Sequence, residues 1–147
     1  MSVQSSASVE ANKAIIQRWW GAMNDGSAGA IIDEIYAADY ILHDPTQPKP
    51  TIGTEGIREF IGMVTAAFPD LRMTLDDLVA EGDRVVQRLT ARGTHQGEFF
   101  GVPASGNSIV VWLYVTSRIA DGKVAEEWQL LDALSLMQQI GAVPTFE

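Results

Sequence analysis

Residues 108–131 read SIVVWLYVTSRIADGKVAEEWQLL, and the alternation within them decides the fold. Ile109, Val111, Leu113 and Val115 fall on one side of an extended chain, and Val110, Trp112 and Tyr114 on the other, the two-residue period of a β-strand. The tetrapeptide ADGK supplies a turn, after which VAEEWQLL reads as the returning strand of an antiparallel pair. With the same period, Val124, Trp128 and Leu130 join the side that carries Trp112. A sheet wet on one side alternates apolar with polar residues, whereas here both sides are apolar. Helices can cover one of them. The other is expected to meet a second copy of the chain, a homodimer formed through Trp112, Tyr114 and Trp128.

Upstream, residues 71–95 (LRMTLDDLVAEGDRVVQRLTARGTH) keep the two-residue period and give two strands hinged at EGDR. Arg84, Arg88 and Arg92 share one face; Val85, Leu89, Ala91 and His95 share the other. A glycine-rich loop, GEFFGVPASGN, links them to the strand at 108. Further upstream the period changes to that of helices. Ile15, Ile16, Trp19, Trp20 and Met23 recur near 3.6 residues and stop at NDGS. A short helix is expected over about Ala28 to Tyr36. The extended stretch DYILHDP then runs into the stiff loop PTQPKPTIG. Thr54 is placed to cap a third helix whose stripe is Ile57, Phe60, Ile61, Val64 and Phe68. A last short helix, ALSLMQQ, precedes Gly141. Helices followed by an antiparallel sheet predict an α+β domain, with the helices on one face of a curved sheet. Residues 1–147 form one domain in this reading, with about 1–9 as a loose lead-in.

Composition narrows the functional classes. The net charge is −9, which lacks the cationic field that nucleic acids and anionic membranes require. Without cysteine there is no disulfide, thiolate nucleophile or thiolate metal site, a composition compatible with the reducing cytoplasm. The start MSVQSSASVE has no leader character, and no run is long enough to span a bilayer, so a cytoplasmic protein is expected. Two histidines without HxxEH or HxxxH spacing argue against zinc, and no metal site is expected.

Three segments in order carry a resemblance: GTHQGEFFGVP at 93–103, RIADGKVAEEW at 118–128, and Asp132 followed by LMQQIG at 136–141. Together they resemble the SnoaL-like polyketide cyclase family, of the ketosteroid-isomerase-like or nuclear-transport-factor-2-like cone fold. The resemblance implies a conical pocket between the helices and the concave sheet, used without metal or organic cofactor. In such cyclases a carboxylate removes a proton next to a carbonyl, and an intramolecular aldol addition closes a ring. That chemistry needs a base of suitable pKa, a donor to the enolate oxygen and an apolar enclosure.

One departure bears on activity. The cyclases' acid/base aspartate directly follows the position of Trp128, and Gln129 holds that place here. An amide has no proton to exchange at working pH. Leu113 and Val115 stand where the cyclases carry polar pocket residues, which makes the expected pocket more apolar. His43, in ILHDP, sits where the family places polar residues near the mouth and is a candidate base, against a role anchoring its loop. Asp132 is a second candidate base, against a role as N-cap of the last helix. Gln129, Trp20, Phe60, Leu113, Val115 and His95 are the candidate lining residues, with His95 placed more for fixing the glycine loop than for catalysis. The expected function is acid–base catalysis, of cyclase, isomerase or lyase type, on a hydrophobic carbonyl compound. The alternatives are a binding protein that has lost the base, and an epoxide-hydrolase-like enzyme activating water through Asp, Gln and Arg.

Overall fold

A computed structural model describes residues 6–146. Helix α1 spans Ser6–Asp25 and α2 Ala28–Ile35; strand β1 (Tyr36–His43), the short β2 (Thr51–Ile52) and helix α3 (Gly53–Ala67) follow. Strands β3 (Arg72–Glu81), β4 (Arg84–Thr94), β5 (Ser108–Ala120) and β6 (Lys123–Leu131) lead to helix α4 (Ala133–Gln139). The strands form one mixed sheet in the order β2-β1-β6-β5-β4-β3, in which only β1 and β6 run parallel. Register shifts in the β1–β6, β3–β4 and β5–β6 pairs bend the sheet. Its inner face packs on the helices, as expected of the α+β architecture.

The odd-numbered residues of β4 and β5 give that inner face. Val85, Leu89, Val111 and Val115 are buried, while Val110, Trp112 and Tyr114 across the strand are half exposed. Ile16 and Trp19 of α1 pack with Ile32 and Ile35 of α2, and with Tyr36, Tyr40, Val85 and Val124 of the sheet. A second group joins Phe68, Phe99, Ile109, Leu136 and Ile140, and a third joins Met73, Leu89, Ala91, Leu113 and Val115.

Several local expectations need correction. Helix α1 already includes residues 6–9, which helix formers such as Ala7 and Glu10 favour; residues 1–5 of the expected lead-in lie outside the described residues. Thr54 does not cap α3. The chain pairs Thr51 and Ile52 with Leu42 and Ile41, then turns at Gly53, whose φ of +73° suits glycine, so Thr54 is already in the helix. Val124 is not on the Trp112 side. The β5–β6 register shifts between Arg118 and Ile119, so Val124 pairs with Ile119 and is fully buried. An extra residue in one strand reverses the face of everything beyond it.

The glycine-rich loop is tied down at both ends. His95 N–H donates to Asn107 O (2.9 Å), Gly106 N–H to His95 O (2.8 Å), and Gln96 and Gly97 N–H both to Ala67 O at the end of α3. A Cβ at Gly97 would meet Ala66 O at 2.4 Å, a backbone atom that cannot swing away. Gly97→Ala is therefore expected to lower stability by roughly 1–3 kcal/mol, the usual cost of forcing atoms into a packed site. Urea unfolding of the variant would show it as an earlier midpoint, and an unchanged midpoint would mean the loop is not held against α3.

Candidate functional site

Between α1, α3 and the inner face of the sheet lies a cavity with two adjoining lobes that share Trp20, Met23, Phe60 and Gln129 as walls. The larger, about 110 Å³, is bounded further by Phe68, Leu113 and Leu136; the smaller, about 60 Å³, by Val115, Tyr40 and Glu127. The sequence positions these side chains simply. Trp20 and Met23 lie on one face of α1, Phe60 projects from α3, and Leu113, Val115, Glu127 and Gln129 all point inward from β5 and β6.

Polar groups enter this apolar space in two places. Gln129 Nε2 donates to Asp44 Oδ2 at 3.1 Å, just beyond the end of β1, while Asp44 Oδ1 accepts from Thr46 N–H and Oγ1. Deeper in, Glu127 is only 6% exposed and accepts from Tyr40 Oη at 2.6 Å through one oxygen and from Ser117 Oγ through the other. Gln87 Nε2 donates to Ser117 Oγ at 2.8 Å, and Gln87 Oε1 accepts from Trp20 Nε1 at 2.9 Å. A hydrogen-bonded chain thus runs from α1 through β4 and β5 to β6 and β1.

Burial raises the pKa of Glu127 above its ordinary 4.5, with the bonds from Ser117 and Tyr40 pulling the other way. Tyr40 is pushed up as well, by burial and then by the Glu127 charge. From pH 4.5 upward the native state keeps a proton at Glu127 that the unfolded chain releases, so stability falls as pH rises through that window. Glu127→Gln should flatten this slope, measured as urea midpoints against pH; an unaltered slope would show that Glu127 does not hold the proton.

Comparison with known proteins gives the lineage. The family model of the SnoaL-like polyketide cyclases matches residues 14–140. The chain belongs to the SnoaL-like polyketide cyclase family. Among solved structures of similar fold, TsrD from Streptomyces laurentii is 35% identical, with a TM-score of 0.81 over 95% of this chain and 99% of that one. IdmH from Streptomyces antibioticus is 32% identical, with a TM-score of 0.77 over 88% and 98%. AclR from Streptomyces galilaeus is 28% identical, with a TM-score of 0.83 over 95% and 86%. None of the curated proteins matches the chain in sequence.

In this SnoaL-like chain the sequence-predicted residues fall in different places. Trp20, Phe60, Leu113, Val115 and Gln129 all border the inner cavity. His43 does not. It sits over the outer face, with Nε2 2.8 Å from Glu126 Oε2 and its ring stacked on Trp128 at 5.5 Å, and it borders a groove of about 570 Å³ under the proline loop. The His43 bond, with Arg118 alongside, holds Glu126 below the ordinary carboxylate range. Asp132 accepts from Ser135 N–H at 3.1 Å as the N-cap of α4, and borders neither lobe. His95 is fully buried outside the lining, where Nδ1 accepts from Ser105 N–H at 3.1 Å and fixes the glycine loop. Among the described residues no three His, Asp or Glu side chains gather as metal ligands would, and no helix is long and apolar enough to cross a membrane.

The residues that sequence reasoning missed are Tyr40, Gln87, Ser117 and Glu127. A signal existed for three of them: Gln87 and Ser117 sit at odd positions among buried neighbours in β4 and β5, and Glu127 shares its parity with Gln129.

Proposed function

We propose that the inner cavity hosts cofactor-independent acid–base chemistry, of cyclase, isomerase or lyase type, on a small hydrophobic carbonyl compound. The observation that carries the reading is Gln129, an amide reaching into walls that are otherwise almost wholly apolar. One N–H is committed to Asp44; the second can donate to a ligand carbonyl and hold it in one orientation. Family membership supports the reaction class, and IdmH is itself a candidate polyketide cyclase. In this reading Asp132 is a cap and His43 belongs to the outer groove. The hydrolase alternative lacks support, since among the described residues no arginine borders either lobe.

The test compares 2-indanone with indane, the same bicycle without the carbonyl. Gln129→Leu should weaken 2-indanone binding by roughly three- to tenfold, the loss of one neutral hydrogen bond, and leave indane binding nearly unchanged. Equal loss for both ligands would mean that Gln129 shapes the wall and orients nothing. A second reading, a binding protein, rests on the amide at the family's acid/base position; it predicts the same ligand discrimination with no turnover.

The same reading covers the outer face with a second copy of the chain. Val110, Trp112, Tyr114 and Leu130 are half exposed or more, and Arg88, paired with Asp77, stands beside them as part of a polar rim. A face carrying an apolar centre and charges of both signs suits a two-fold interface. Trp112→Glu should convert the dimer to a monomer by sedimentation; a monomeric parent chain would refute the assignment. The chain without cysteine is placed in the cytoplasm on the same terms.

A further inference from the structure

We infer that Glu127 is the group that exchanges a proton with the ligand in the inner cavity; the inference rests on the reading of that cavity as an acid–base site. Glu127 borders the smaller lobe, next to Gln129 and Val115, and is almost completely removed from water. The groups that face it are Tyr40 and Ser117, both hydrogen-bonded to it, and Tyr36, which lies close enough to feel its charge. Among the described residues no lysine, arginine or histidine borders the lobe. Its neighbour Glu126 points to the opposite face, where His43 and Arg118 meet it.

A buried carboxyl without a cation is costly, and a purely structural hub could be made from neutral residues. What a carboxyl adds is a transferable proton in an apolar enclosure, which is the usual setting of a tuned acid or base. The raised pKa agrees with this. Gln87 and Trp20 hold Ser117 from behind, so Tyr40, Ser117 and Gln87 act as positioning residues that fix the carboxyl.

The geometry supplies the rest of a step. Glu127 and Gln129 lie on one face of β6, two residues and so roughly 7 Å apart, a span that a carbonyl and its α-carbon can bridge. Ionised Glu127 takes the α-proton. The C–H electron pair becomes the enolate double bond, the carbonyl π pair moves to oxygen, and the Gln129 N–H donates to that oxygen. Where the ligand carries a β,γ-double bond the enolate extends to a dienolate, and the proton returns from the Glu127 carboxyl to the γ-carbon, giving the conjugated isomer. In a ring closure the enolate carbon attacks a second carbonyl, and the same proton goes to the new alkoxide.

Deuterium exchange at the α-carbon of 2-indanone, followed by proton NMR in D2O with the full chain, tests this without the natural substrate. The parent protein should accelerate exchange, and Glu127→Gln should lose the acceleration by roughly 10²- to 10⁴-fold. Tyr40→Phe keeps the carboxyl and removes a bond that lowers its pKa, so the rise of exchange rate with pH should move to higher pH. A purely structural role would lower the rate without moving the profile, and an unmoved profile overturns the inference even if Glu127→Gln fails to fold. Parent-like exchange by Glu127→Gln overturns it directly. Binding of 2-indanone without exchange leaves the binding-protein reading and removes Glu127 as a base. Failure of 2-indanone to bind removes the cavity reading itself.

Discussion

Leu89→Ala is expected to lower the free energy of unfolding by roughly 2–5 kcal/mol, the range for emptying a fully buried leucine site. Leu89 has no exposed surface, pairs with Leu75 on β3 and Leu113 on β5, and packs with Met73, Ala91 and Val115. Neighbours fixed in a hydrogen-bonded sheet on both sides relax little into the space, which puts the cost toward the upper end. Because Leu113 also walls the larger lobe, the lost volume adjoins the inner cavity. Urea unfolding at constant slope would give the difference. Val79→Ala, on the outermost strand at 63% exposure, serves as the control, with a change within about 0.5 kcal/mol. A Leu89→Ala cost equal to that of the control would contradict the packing described for β3, β4 and β5.

Gln129→Asp is the second large effect. It restores a carboxyl at the position where the resemblance places the cyclases' acid/base residue. General-base catalysis typically contributes about 10²- to 10⁴-fold; in the Glu127→Gln background, where the parent base is absent, the new carboxyl should restore α-proton exchange of 2-indanone by up to that amount, less what is lost with the orienting Gln129 N–H. The pH dependence is a sharper mark than the rate. Gln129 now donates to Asp44, and a second carboxyl there puts two like charges where a hydrogen bond was. One of the two must hold its proton to higher pH than an isolated carboxyl, so the gain should appear only as pH rises past the usual carboxylate range. The lost bond and the added repulsion also cost stability, about 1–3 kcal/mol. A variant that folds, binds 2-indanone and gains no exchange would detach the inner cavity from the family's chemistry.

The alternation in β4 and β5 was enough to place the inner and outer faces, because side chains there follow the pleat without interruption over many residues. Trp20, Phe60, Leu113 and Val115 could therefore be assigned to the cavity from periodicity and family alignment. Strand β6 could not be followed the same way. Its bulge near Ala125 reverses the face of Val124 relative to Trp128, and a bulge leaves no composition signal in AEEW.

Glu127 was missed although its parity with Gln129 turned it inward, because nothing near it in the sequence supplies an acid on that face with a partner. Its partners come from Tyr40 and Ser117, many residues away in sequence, and only the sheet order β1-β6-β5 brings them together. His43 went to the outer face for a related reason. It pairs in parallel with Trp128, and so takes that residue's side of the sheet. Asp132 was legible in both roles, and its bond from Ser135 N–H gives it the cap.

Methyl-labelled NMR with 2-indanone tests the central claim, that the inner cavity is the functional site. Titration should shift the methyl signals of Leu113, Val115 and Leu131, which face the cavity, and spare those of Val110 and Leu130 across the same strands. Shifts confined to Leu130, which borders the groove beside His43, would place the ligand on the outer face and contradict the account.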